Sequence, residues 1–104
     1  MSLPFKDSEG LAVTEKEQKV EEPPLYKVLL HNDDYTTMEF VVMILEIVFN
    51  KDSEEATRIM LNVHEQGVGV AGVYTREIAE TKVAIVFDFA KKNEYPLRCS
   101  LEKA

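Results

Sequence analysis

The residues best equipped for chemistry form two groups. His31, Asn32, Asp33 and Asp34 follow one apolar run, and His64 stands inside another. Asp33, Asp34 and His64 could form an acid–base set, and His31 would extend it to mixed metal ligands. Against catalysis, no serine or cysteine is placed as a nucleophile beside a histidine and an orienting acid. Gly67, Gly69 and Gly72 precede a strand-like run instead of opening a helix, so they do not make a phosphate loop. Binding uses the same residues better. Asn and Asp supply acceptors, a neutral imidazole supplies another, and Met38, Val41, Met60 and Val63 supply an apolar wall. Such a set suits a ligand that is cationic at one end and hydrophobic just beyond it. The first residue of a peptide is one, because its α-amine, with a pKa near 7.7–8.0, is mostly protonated at pH 7. Each residue also has an ordinary use: Asn-Asp-Asp is a common turn, and a histidine at the edge of a helical face commonly serves packing.

Local patterns say what must position these groups. Tyr26-Lys27-Val28-Leu29-Leu30-His31 reads as a strand between Pro23-Pro24 and Asn32-Asp33-Asp34. Thr36 with Glu39 is a capping-box pattern, with Tyr35 and Phe40 placed for a hydrophobic staple. A helix is expected from about Thr37 to Phe49, with Phe40, Val41, Ile44, Leu45 and Val48 facing inward and Met43 and Ile47 widening the apolar face. Asp52 and Glu55 repeat the capping pattern, and Ala56, Ile59, Met60, Val63 and His64 lie on one helical face that ends at Gly67. Val68 to Tyr74 is a β-branched run whose glycines point to a close neighbour. Thr75 caps a third helix that turns Ile78, Ala79, Val83, Val86, Phe89 and Ala90 inward, and Leu97, Cys99 and Leu101 alternate as a final strand. The expected order is β-α-α-β-α-β. The economical architecture is a two-layer α+β sandwich, a three-stranded sheet covered by three helices.

Composition narrows the partners. The 104 residues suffice for one domain, and the formal charge of -7 opposes both nucleic-acid and anionic-membrane binding. The first 22 residues carry 3 Lys and 6 Asp+Glu with few apolar anchors, so residues 1–24 read as a flexible tail and 25–104 as the domain. Phe40 to Leu45, the longest apolar run, is closed by Glu46 and cannot span a bilayer. With no secretory signal pattern and a lone Cys99, the expected location is cytoplasmic. Two histidines and one cysteine cannot form a structural zinc site unaided, and no cofactor is expected.

Several blocks in order resemble the ClpS family of bacterial N-end-rule adaptors. They are Tyr26-Lys27-Val28 through Asn32-Asp33-Asp34-Tyr35-Thr36 and Met38-Glu39-Phe40-Val41, then Ala56-Thr57, Met60-Leu61 and Val63-His64. Gly72-Val73-Tyr74-Thr75, Glu80-Thr81-Lys82-Val83-Ala84 and Pro96-Leu97 to Leu101-Glu102-Lys103-Ala104 complete the likeness over residues 24–104. The resemblance implies a monomeric, non-enzymatic adaptor. It would bind N-degron substrates beginning with Leu, Phe, Tyr or Trp and hand them to the N-terminal domain of a ClpA-type AAA+ unfoldase for degradation by ClpP. It implies that Asn32, Asp33 and His64 hold the α-amine, with Asp34 at the same edge. Thr36, Met38, Val41, Met60, Val63 and Leu97 would line the side-chain pocket, with Met38 as a gate against β-branched residues. Glu77 and Lys82 would touch the unfoldase, and residues 1–24 would match the family's delivery tail. Thr37 stands where the family usually has proline, Ala71 where cysteine is common, and His31 where the residue is apolar. Two alternatives stay open: a domain of this fold that binds the unfoldase without peptides, and a small Asp/His hydrolase.

Overall fold

A computed structural model describes residues 22–104; the expected tail, apart from its last three residues, lies outside the described residues. In chain order the elements are β1 (Leu25–His31), α1 (Met38–Ile47), α2 (Ser53–Gln66), β2 (Val68–Thr75), α3 (Arg76–Lys92) and β3 (Arg98–Lys103). The sheet is antiparallel with strand order β2-β1-β3. This is the three-strand, three-helix α+β arrangement expected from the periodicities.

β1 is central, hydrogen-bonded along one edge to β2 and along the other to β3. Val28 and Leu30 are fully buried on its helix-facing side. On the opposite side, the His31 ring nitrogen Nε2 meets the Ser100 hydroxyl at 2.7 Å. α3 lies along all three strands, α2 packs on β2, and α1 packs on α2. Ile44 and Leu45 of α1, Ala56 of α2 and Val86 of α3 join the fully buried residues at the centre.

Several local expectations are corrected. The first helix is capped by Thr37, whose hydroxyl accepts from the Phe40 amide at 3.1 Å; Thr36 is engaged elsewhere. Proline is therefore absent at a position that serves here as a side-chain cap, a contact worth about 1 kcal/mol. Tyr35 forms no staple, being 76% exposed, while the Phe40 ring packs on Tyr95 with centroids 4.7 Å apart. Ile47 and Ile78 face solvent, at 60% and 50% exposure, because the neighbouring helices reach only part of each apolar face. Thr75 occupies the N-cap of α3 without a side-chain capping bond. The second cap is as expected, with Asp52 accepting from the Glu55 amide at 2.8 Å.

The glycines of β2 have distinct reasons. A β-bulge lies where Val28 pairs with Gly72 and Leu29 with Val70, leaving Ala71 unpaired and fully buried. At Gly69, an added Cβ would lie 2.8 Å from Val63 Cγ2 and 3.6 Å from the Ile59 carbonyl oxygen. Val63 is β-branched and stiff within a helix, so it cannot easily rotate away. Gly69→Ala is expected to destabilise the domain by about 1–3 kcal/mol through overpacking, measured by denaturant unfolding. An unchanged midpoint would show that α2 moves aside without cost.

Candidate functional site

The local structure after β1 is built by Asp33. Its Oδ1 accepts from the Tyr35 amide at 2.8 Å and the Thr36 amide at 2.7 Å, and its Oδ2 accepts from the Thr36 hydroxyl at 2.8 Å. A carboxylate offers about four acceptor sites, so one stays open after these three bonds. Burial pushes the Asp33 carboxyl up, but the Thr36 and Tyr35 bonds and the Arg98 guanidinium outweigh it and hold the carboxyl below its usual range. Asp33 is therefore an anion at neutral pH, fixed in direction by its own turn.

One long-range bond brings the second group alongside. The Asn32 amide donates to the Gly67 carbonyl at 2.9 Å, tying the end of β1 to the end of α2. Gly67 makes this geometry available by taking φ of 87°, where a side chain would be strained, while its amide caps Val63. His64, in the last turn of α2, consequently faces the Asn32–Asp34 turn.

Between them is a cavity of about 240 Å³ lined by Asn32, Asp33, Asp34, Thr36, Met38, Val41, Met60, Val63 and His64. The four polar residues expected at an amine site and five of the six expected pocket residues share this lining. Val41, Met60 and Val63 are buried, whereas Met38 is 48% exposed. The lining combines two chemistries, acceptors and negative charge from Asn32, Asp33, Asp34 and His64, and thioether and aliphatic surface from Met38, Val41, Met60 and Val63. A space of this size suits one residue better than a larger organic ligand, whose sites run to roughly 300–1,000 Å³.

Leu97 is the exception. It is buried but lines a different cavity, between α3 and β3, because the turn through Tyr95 and Pro96 brings it beside Ala90 and Phe87. His31 is also outside the lining and is engaged with Ser100. Among the described residues, no group of three or more His, Cys, Asp and Glu is arranged to hold a metal ion. No helix among them is long and apolar enough to cross a membrane.

The two remaining expected contacts lie on α3. Glu77 is exposed in its first turn. Lys82 is half-buried: its ammonium donates to the Val48 carbonyl at 2.7 Å and lies 5.5 Å from the centre of the Tyr74 ring. It satisfies a carbonyl at the end of α1 and braces that helix against α3. The resemblance points Lys82 toward the unfoldase, and nothing local in the sequence reveals its bond to a carbonyl 34 positions away.

Known proteins resemble this chain in sequence and in fold. Residues 21–100 match the family described as "ATP-dependent Clp protease adaptor protein ClpS". The ATP-dependent Clp protease adapter protein ClpS of Desulfatibacillum aliphaticivorans is 63% identical over 93 residues, covering 89% of each chain. Its counterpart from Rhodospirillum centenum is 60% identical over 96 residues, covering 92% of this chain and 88% of the relative. Among solved structures, Agrobacterium tumefaciens ClpS2 bound to L-phenylalaninamide superposes with a TM-score of 0.77 at 41% identity, covering 80% of this chain and all of that one. The chain therefore belongs to the ClpS family, the adaptors of the ATP-dependent Clp protease, and is an adaptor instead of an enzyme.

Proposed function

We propose that this adaptor recognises proteins by a free N-terminal residue with a bulky hydrophobic side chain, Leu, Phe, Tyr or Trp, and delivers them to a ClpA-type AAA+ unfoldase for degradation by ClpP. The observation that carries the reading is that one cavity is lined by both kinds of residue. Asn32, Asp33, Asp34 and His64 offer acceptors to an α-ammonium, while Met38, Val41, Met60 and Val63 receive the side chain. The ligand of the Agrobacterium relative, L-phenylalaninamide, has these two parts, an α-amine and a benzyl group. Met38, half-exposed at the cavity, would act as the gate that disfavours bulk at the substrate's Cβ.

Delivery would use the start of α3. Glu77 is available there to a partner's cation, and Lys82 holds the adjoining end of α1 in place. The adaptor would act as a monomer, and its single cysteine fits the reducing cytoplasm.

The test compares fluorescent peptides differing only in the first residue. Burying a Leu or Phe side chain contributes roughly 1.5–3 kcal/mol, so these should bind about 10- to 150-fold more tightly than a Gly-first peptide. Equal affinities would remove the side-chain pocket from the reading.

A further inference from the structure

Another cavity lies between α3 and β3, apart from the one just described. It has a volume of about 450 Å³ and is lined by Val83, Phe87, Ala90, Lys91, Tyr95, Pro96, Leu97, Arg98 and Cys99. Its size falls within the range of small-molecule sites. Phe87 is 62% exposed here, an aromatic ring left in water beside an apolar recess. Cys99 adds to the apolar wall, because burial pushes its thiol up to about 11 and keeps it neutral. Native Cys99 is accordingly expected to resist iodoacetamide at pH 8 and to react once the chain is denatured; equal rates would show an accessible thiolate.

The charge of the lining is the informative feature. The chain has 19 acidic and 12 basic side chains, yet the ionisable side chains with charge at this cavity are Lys91 and Arg98, both cationic. Among the described residues the ion pairs are Arg58–Glu55 and Arg76–Glu80, so neither cation is paired with a described carboxylate. The nearby end of α3 would repel an anion if its carbonyls were bare. Three of the last four are engaged: Phe89 accepts from Asn93, Lys91 from Glu94, and Ala90 from Tyr95 at 2.9 Å.

We propose that the cavity between α3 and β3 is a second binding site, for a monocarboxylate with an apolar body, whose chain lies against Val83, Phe87, Ala90 and Leu97 and whose carboxylate meets Lys91 and Arg98. The site is separate from the candidate amine pocket and does not depend on what that pocket binds. Arg98 also stands within electrostatic reach of Asp33, so Lys91 is the cation whose loss reports on this cavity alone.

The experiment titrates the isotopically labelled full chain with sodium decanoate and, separately, with decan-1-ol, followed by NMR. Decanoate should shift Phe87, Ala90, Tyr95 and Cys99 saturably and leave Met38, Met60 and Val63 in place. Lys91→Glu should weaken decanoate by roughly tenfold, losing one attraction and adding one repulsion, with decanol changed less than about twofold. Lys91→Gln, milder at a helix end, should give an intermediate loss. Phe87→Ala, at an exposed position, should weaken both ligands. The proposal is overturned by shifts centred on Met60 and Val63, by decanol binding as tightly as decanoate, or by no saturable binding of decanoate.

Discussion

N-acetylation of a Phe-first peptide is expected to weaken its binding to this protein by about 100-fold. The acetyl group removes the charge and leaves the acceptors of Asn32, Asp33 and His64 facing an amide with one donor. Leaving a desolvated acceptor unmatched costs about 1–3 kcal/mol, and 2–3 kcal/mol corresponds to roughly 30- to 150-fold in affinity. His64→Ala should reduce the affinity of the free-amine peptide while leaving the acetylated peptide almost unaffected, since the latter no longer uses the imidazole. Fluorescence anisotropy on the four combinations gives the coupling directly. If acetylation costs less than about threefold, the polar residues of the cavity do not hold the amine, whatever the apolar ones bind.

Asp33→Ala should have the largest effect of any single substitution in the site, because Asp33 both builds the turn and carries charge. Losing its bonds to Tyr35 and Thr36 should cost about 1–2 kcal/mol of stability, or roughly 4–16 °C in Tm for a domain of this size. Asp33→Asn separates the two roles. Its side-chain oxygen can still accept from both backbone amides, so the turn should largely survive, while affinity for the free-amine peptide still falls about tenfold or more. Acidity gives an independent check. A carboxyl held below its usual 3.8 contributes stability that is complete above that value and is lost as pH falls through the lower folded value. The Tm difference between the wild type and Asp33→Asn should therefore narrow below pH 3.8. A constant difference down to pH 2 would mean that the charge contributes nothing to the turn.

The same residues show where sequence reasoning stops. Thr36 and Thr37 are adjacent, and each could cap the first helix. The pattern with Glu39 favours Thr36, but Asp33 captures its hydroxyl and Thr37 becomes the cap. Leu97 is apolar and buried on either reading, yet which cavity it lines depends on the path of the Tyr95–Pro96 turn. Ile47 and Ile78 continue helical stripes that the packing does not cover, since periodicity reports an apolar face but not the reach of its neighbour.

By itself the sequence determined the strand–helix order, the α2 cap at Asp52, the end of α2 at Gly67, and the common face of Met60, Val63 and His64. All of these depend on residues within about one or two helical turns, where geometry is nearly invariant. Residue chemistry suggested joining Asn32, Asp33, Asp34 and His64 with Met38, Val41, Met60 and Val63, and the resemblance to a family added Thr36, Leu97 and the unfoldase contacts, which no local pattern contains. Tertiary structure alone decided that the Asn32 amide meets the Gly67 carbonyl, that Lys82 closes the end of α1, and that an apolar cavity with two cations opens between α3 and β3. These features join elements far apart in the chain, and their geometry follows from how whole faces pack.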